Sequence, residues 1–405
     1  MTTVLHILSQ RPSLTGSGVT LDALVRHAER AGWDQHVICG VPADDPHPQV
    51  GGLAEERIHP LFFESYELGF PVPGMSDVMP YRSTVFSAMS AEQLTAYRTA
   101  WKRHILKVIS LTRPHLIHAH HAWIMSSLLK GIAPSIPVVV QCHATGLRQM
   151  SICPHLADEV KSGCARGERF LVQSAEVGKE LAAALGVEAD RVQVVGAGFR
   201  EDLFHTRGRD TGQSTRLLYC GKYSRSKGLP WLLDAVERLA ALQPGLTLHV
   251  AGSGTGGEAE ELAERMSSMH PVVLHGQLAQ PALAELMRSC TVMVLPSFYE
   301  GVPLVLAEAA ACGCRLVSTR LPGVVENLSE VLGEALTLVP MPRLTGIDSP
   351  EPDDLPAFVD DLKEAIIDSL TRPPLASARL SLEPLSWLAV FRRVERVWRE
   401  LAGQR

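Results

Sequence analysis

Short apolar runs recur along the chain, each followed by a longer amphipathic stretch. Val4 to Leu8 is the first run, followed by a Gly/Ser/Thr loop and a helix through Leu24 to Ala31. Gln35 to Cys39, His115 to Ala119, Pro137 to Gln141 and Arg169 to Gln173 read as further strands between helical stretches. This alternation predicts an α/β fold, with a parallel sheet covered by helices on both faces.

The pattern pauses and restarts. Gly208 to Thr215 is polar and free of apolar residues, which marks it as a linker. Arg216 to Cys220, Leu246 to Ala251, Val272 to His275, Val292 to Leu295 and Arg315 to Ser318 then read as strands, with a helix over Leu229 to Leu242. Two consecutive open α/β domains are expected, 1–207 and 208–383. Met341 to Pro356 is rich in Pro and Asp and reads as an exposed loop. A final helix within 384–405 carries Trp387, Phe391, Val394, Trp398 and Leu401 at helical spacing. Its arginines sit on other faces, so it reads as a packing helix, with membrane contact the weaker reading.

Composition narrows the function classes. A net charge of -6 leaves no basic excess to neutralise phosphates, which argues against nucleic acid as main partner. No window of apolar residues is long enough to span a membrane, and the N-terminus runs into a core strand rather than a leader. A cytoplasmic protein is expected. Eight dispersed cysteines read as reduced, buried thiols rather than a disulfide framework. Cys142, Cys153 and Cys164 near His143 and His155 fit no standard zinc spacing.

The chemistry concentrates at strand-to-helix crossings, where open α/β sheets bind ligands. In PSFYEGVPLVLAEAAACG, Pro296 to Gly313, a buried strand gives way to a loop with Glu300 and then a helix opened by Pro303. Glu308 falls two turns into that helix, and Gly313 reads as its C-terminal stop. The free N–H groups at the helix start suit an anion. Two carboxylates beside them suit the hydroxyls of a sugar attached to that anion. YCGKYSRSKGL places Gly221, Lys222, Lys227 and Gly228 on a second crossing, where two lysines can neutralise a diphosphate. HVAGSGTGG offers Gly252 and Gly254 for close backbone approach. SLTGSGVTLDAL, with Gly16, Ser17 and Gly18, looks like a phosphate loop but matches neither GxGxxG nor a Walker sequence. Each of the last three is weak by itself.

Together these segments resemble the family 4 retaining glycosyltransferases. Glu300 and Glu308 resemble the family's E-x7-E signature. GKYSRSKG is similar to its GR-x4-KG loop, with Lys222 in the usual arginine position. AGSG, RLPGVVE and VQVVGAGFREDLF resemble three further segments, although Ala197 and Gly198 replace a usual Asn-Gly. The Gly16–Gly18 loop and IHAHHAW (Ile117 to Trp123) fit the first half in outline.

The resemblance implies a GT-B fold: two Rossmann-like domains facing across a cleft, the second holding a nucleotide-sugar and the last helix returning to the first. It implies that Lys222 and Lys227 bind the donor diphosphate, although lysine lacks arginine's planar fork. Glu308 would hold the ribose and Glu300 the sugar hydroxyls. Gly221, Gly252, Gly254 and the amides of Gly301, Val302 and Leu304 would line the donor. A first-domain histidine near the cleft would help position the donor sugar. His143 is the leading candidate, then His120, then His121; His118 reads as structural. Arg148 would meet an anionic acceptor or the donor phosphate, or lie at the surface.

No Asp-x-Asp occurs, so no metal and no cofactor are expected, and lysines with a helix N-terminus would carry the leaving charge. The expected partners are a nucleotide-sugar, UDP-linked on family frequency, and an acceptor that is a small molecule, lipid or glycan. A sugar-nucleotide epimerase of the same architecture, a nicotinamide dehydrogenase and a non-catalytic sugar-nucleotide-binding protein stay open. The dehydrogenase lacks its GxGxxG.

Overall fold

Val4, Leu5, Ile7 and Leu8 are all completely buried, on both faces of one strand. Such a strand needs cover above and below, as in the interior of a parallel α/β sheet. The computed structural model describes residues 2–12, 15–45, 47–76, 79, 81–209, 215–346, 348–373, 375 and 380–403. It divides into two compact units, Met1–Gly198 with Trp387–Arg405, and Phe199–Ser386.

The first unit contains β1 (Thr3–Leu8), β2 (Asp34–Pro42), β3 (Ile58–Phe63), the short β4 (Pro73–Gly74) and β5 (Thr84–Val85), then β6 (Leu116–His120), β7 (Val138–Gln141), β8 (Arg169–Val172) and β9 (Val192–Val194). Its helices are α1 (Gly16–Arg30), α2 (Ala91–Thr112), α3 (Ile124–Ser127), α4 (Leu129–Ile132), α5 (Thr145–Ile152), α6 (Pro154–Cys164) and α7 (Ala175–Leu185). The main sheet is parallel, in the order β3-β2-β1-β6-β7-β8-β9.

The second unit contains β10 (Arg216–Cys220), β11 (Thr247–Ala251), β12 (Val272–Gly276), β13 (Val292–Leu295), β14 (Arg315–Thr319) and β15 (Leu336–Val339). Its helices are α8 (Leu229–Leu242), α9 (Gly257–Ser268), α10 (Gln280–Ser289), α11 (Leu304–Ala311), α12 (Pro322–Asn327), α13 (Ser329–Leu332) and α14 (Leu355–Thr371). Its parallel sheet runs β12-β11-β10-β13-β14-β15. Each unit thus reverses strand order beside its first strand, at β1/β6 and at β10/β13. Those reversals open crevices at the carboxyl ends of the strands.

The last helix, α15 (Trp387–Ala402), belongs to the first unit. Trp387, Phe391, Val394, Trp398 and Leu401 are buried in a cluster with Val4, Leu24 and Leu116. Trp33 adds a bond from its Nε1 to Glu395 Oε1 at 2.9 Å.

The division falls at 198/199 rather than at 207/208. Phe199 and Phe204 are buried in the core of the second unit, and Arg209 donates to the carbonyls of Cys290 and Cys312 at 2.9 and 2.8 Å. These contacts tie 199–209 to the second sheet. At the other end it falls at 386/387 rather than at 383/384. Of the linker expected over Gly208 to Thr215, residues 210–214 lie outside the described residues, as do Ser13 and Leu14 of the first glycine loop and Ile347 of the Pro/Asp loop. No helix among the described residues is long and apolar enough to cross a membrane.

Candidate functional site

The carboxyl ends of β10 and β13 bring together most of the predicted donor residues. Gly221 and Lys222 leave β10, and Pro296 to Val302 leave β13 and lead into α11. Two glycines let the loops pack backbone on backbone. Gly252 has φ +146, and a Cβ there would stand 1.9 Å from the Gly221 carbonyl oxygen. Gly228 has φ +69, and its Cβ would stand 2.0 Å from the Pro296 carbonyl oxygen. Only glycine fits either position. Gly254 continues the turn after Gly252, where Tyr223 N–H donates to Ser253 O at 3.1 Å.

The charges are ordered by this packing. Lys227 Nζ lies 2.9 Å from Glu300 Oε1 and donates to Tyr299 O at 3.1 Å. Ser297 Oγ donates to the same Glu300 oxygen at 2.8 Å. Lys222 is exposed, while its carbonyl accepts from Tyr219 Oη at 2.6 Å. The Tyr219 ring is fully buried, which fixes the loop from below.

Glu308 is half-buried on α11 and forms no ion pair with any described residue. Desolvation raises its pKa to about 7. The helix starts after Pro303 with no side-chain cap, and the amides of Gly301 and Val302 make no hydrogen bond among the described residues. The Leu304 amide is different: it donates to Val302 O at 3.0 Å. It is therefore engaged, whereas the sequence reading took it as free for the donor. Gly313, at φ +90, ends the helix with its N–H on Ala310 O and that of Cys314 on Ala309 O.

The first unit holds a separate cavity of about 430 Å³ at the carboxyl ends of β1, β6, β7 and β8. Gly16, Ser17, His121 and His143 line it, with Gln10 and Gln173 from the ends of β1 and β8. Gly16 to Gly18 form the first turn of α1 rather than a loop, because Thr15 caps the helix through its Oγ1 and the Gly18 N–H at 3.2 Å. The Gly18 amide is thereby committed.

His121 has φ +77 and Ala144, beside His143, has φ +62. Such conformations in non-glycine residues gather at functional sites. His121 Nε2 lies 3.0 Å from Gln10 Oε1 and its Nδ1 3.1 Å from Thr145 Oγ1. His143 Nε2 lies 3.4 Å from His120 Nδ1. His120 is fully buried behind it and does not line the cavity. Burial lowers His143 to about 4 and holds His120 and His121 well below the usual range. At neutral pH these rings are neutral hydrogen-bonding groups, not cations. Arg148 is exposed on α5 and is not among the residues that line the cavity.

The motifs alone rank His120 above His121 and do not single out Gln10, Met75, Met79, Thr145 or Gln173, all of which line the cavity. A usable signal was position: Gln10, His121, His143 and Gln173 fall one or two residues beyond the ends of four parallel strands. The cysteines are free, and seven of the eight are buried. Burial pushes the Cys142 thiol up to about 12.

Two family models match the chain. Residues 15–198 match the glycosyl transferase 4-like domain and residues 214–343 the glycosyl transferases group 1. Glycogen synthase of Mycobacterium tuberculosis is 29% identical over 225 residues, which are 53% of this chain and 54% of that protein. D-inositol 3-phosphate glycosyltransferase 1 of Catenulispora acidiphila is 26% identical over 238 residues, 52% of this chain and 56% of that one. The chain spans about half the length of these curated relatives.

Among solved structures, an α,α-trehalose-phosphate synthase (UDP-forming) from Burkholderia vietnamiensis superposes with a TM-score of 0.65 at 15% identity, covering 100% of this chain and 98% of that one. That likeness shows the fold. Matched in both of its Rossmann-like units by glycosyltransferase models and sharing the architecture of such enzymes, the chain belongs to the family 4 glycosyltransferases of GT-B fold.

Proposed function

We propose that the protein is a retaining glycosyltransferase that moves a hexose or amino-hexose from a UDP-linked donor to an acceptor hydroxyl. The observation that carries this reading is the Lys227–Glu300 ion pair at the β10/β13 reversal, with Lys222 on the loop that leaves β10 and Glu308 on α11. Glu308 takes the ribose hydroxyls and Glu300 the hydroxyls of the transferred sugar. Lys222, Lys227 and the amides of Gly301 and Val302 receive the diphosphate. Charge grows on that diphosphate as the glycosidic bond breaks, and preorganised donors there lower the barrier. In the free protein Lys227 is held by Glu300, so the lysine is already positioned when the donor arrives.

The acceptor attacks from the face of the leaving diphosphate, and a diphosphate oxygen takes the acceptor proton. Glu300 is no nucleophile in this scheme. One of its oxygens already accepts from both Lys227 and Ser297, which lowers its nucleophilicity. His143 supplies a neutral imidazole that helps position the donor sugar. No step uses a metal, and turnover should not respond to added Mg²⁺ or Mn²⁺. Membership of a transferase family weighs against the epimerase alternative.

The test is calorimetric binding of a panel of nucleotide-sugars to wild type, Glu308→Ala and Lys227→Ala. One UDP-sugar should bind wild type, lose affinity at least about tenfold in Glu308→Ala through the lost charged hydrogen bonds, and turn over far more slowly in Lys227→Ala. Equal affinity for Glu308→Ala removes the ribose role. Wild-type turnover by Lys227→Ala removes the diphosphate role.

A further inference from the structure

Three imidazoles share one face of two neighbouring strands in the first unit. His6 on β1 is the register partner of His118 on β6, and His120 follows His118 on the same face. All three are completely buried. Ring centroids stand 5.5 Å apart for His6 and His118, and 4.7 Å for His118 and His120. One potential ligand nitrogen from each ring lies within 4.8 Å of the others.

These nitrogens lack partners. His6 Nδ1, both nitrogens of His118 and His120 Nε2 are buried without a hydrogen bond. Native interiors rarely leave buried polar atoms so, and an unplaced ion is one of the standard reasons. The remaining nitrogens of the outer rings are held in place: His6 Nε2 lies 3.2 Å from Gln35 Oε1 and His120 Nδ1 lies 3.4 Å from His143 Nε2. Such secondary bonds orient metal-binding histidines and leave one lone pair per ring for the ion. Gln141 lies against His118, and its Oε1 is also buried and unpartnered.

We propose that His6, His118 and His120 form a site for one divalent transition-metal ion, zinc by preference, that clamps β1 to β6 beneath the first-unit cavity. Three imidazole nitrogens without carboxylate or thiolate suit zinc and its neighbours rather than magnesium or calcium. Bonds of about 2.1 Å in a tetrahedron place the nitrogens about 3.4 Å apart, so the rings draw in slightly on binding. The ion fixes the His120 tautomer and, through its contact with His143, the orientation of that ring. Trp398 of α15 closes the site edge-on, 5.4 Å from His6 and 5.6 Å from His118. The ion has no part in the transfer step and the site stands independently of the donor reading.

The test uses the untagged full chain, loaded with Zn²⁺ alone, passed through gel filtration in metal-free buffer and assayed for zinc by mass spectrometry. A Co²⁺-loaded sample is examined for visible absorption. A single equivalent of zinc retained per chain, a Co²⁺ spectrum of a four-coordinate ion held by three imidazoles and one oxygen ligand, and a zinc-dependent rise in Tm are expected. His6→Gln and His118→Gln should each cut retention at least about tenfold. The double variant His249→Gln, His275→Gln, which removes a histidine pair 2.8 Å apart in the second unit, should retain zinc. Wild type without retained zinc and without Co²⁺ absorption overturns the site, as does retention that persists in both single variants or is lost in the double one. If the single variants misfold, the wild-type stoichiometry and Co²⁺ spectrum decide.

Discussion

Glu308 couples burial to pH-dependent stability and, in its proposed ribose role, to donor binding. Its folded pKa of about 7 stands above the ordinary carboxylate value of 4.5 because α11 and the loops around it remove water from the carboxylate. Ionisation is therefore harder in the folded chain than in the unfolded one. The penalty is absent below about pH 4.5, grows as pH rises, and is complete above about 7. Glu308→Gln should accordingly raise Tm at pH 8, by no more than ~3 kcal/mol of stability, and leave it unchanged at pH 4. Equal Tm values at pH 8 would show that the carboxylate is not desolvated. Ribose hydroxyls donating to the carboxylate favour its charged form. Donor binding near pH 6.5 should then release protons, read by calorimetry in buffers of different ionisation heat, and proton uptake would contradict the role.

At the element scale, the loops after β10, β11 and β13 depend on backbone contact that no side chain can replace. Gly252→Ala adds a Cβ where 1.9 Å separates it from the Gly221 carbonyl, at φ +146. The loop after β11 must shift, so a stability loss of about 1–3 kcal/mol and weaker donor binding are expected. A variant with wild-type Tm and affinity would show that the two loops move independently. The central strands β10 and β13 are read from the sequence to the residue because both faces are buried, and a continuous apolar run results. β3, β9 and β15 escape that reading. All three are edge strands, with Pro60 inside β3 and a half-exposed Val194 in β9, so their runs are broken. The proposed donor site is legible for a related reason: its residues sit in unbroken motifs on two loops. The first-unit cavity takes single residues from the ends of four strands, plus Met75 and Met79 from a long insertion. Only Gly16 and Ser17 belong to a contiguous pattern there, and His121 is told from His120 only by where β6 ends.

Across the whole molecule the unevenness lies in the histidines. His6, His118, His120 and His121 are buried in the first unit with pKa values held below the usual range by desolvation. In the second unit His249 is the histidine held low, at about 4, and it is half-buried. A histidine depressed on folding stabilises the folded state fully above its unfolded value of about 6.5. As pH falls further the unfolded chain takes up protons that the folded chain refuses. Stability then declines by ~1.4 kcal/mol per pH unit for each such residue until its folded pKa is reached. The first unit should therefore lose stability steeply as pH falls below 6.5, with the His6 contribution ending near 4, while the second changes less. Tryptophan fluorescence separates the two, since Trp33, Trp101, Trp123, Trp387 and Trp398 lie in the first unit and Trp231 in the second. A thermal scan from pH 7 to pH 5 should move the main fluorescence transition to lower temperature, and His6→Gln should make that movement smaller. A transition that stays fixed across this range would mean that the buried rings exchange protons with solvent as freely as in the unfolded chain, which their complete burial forbids.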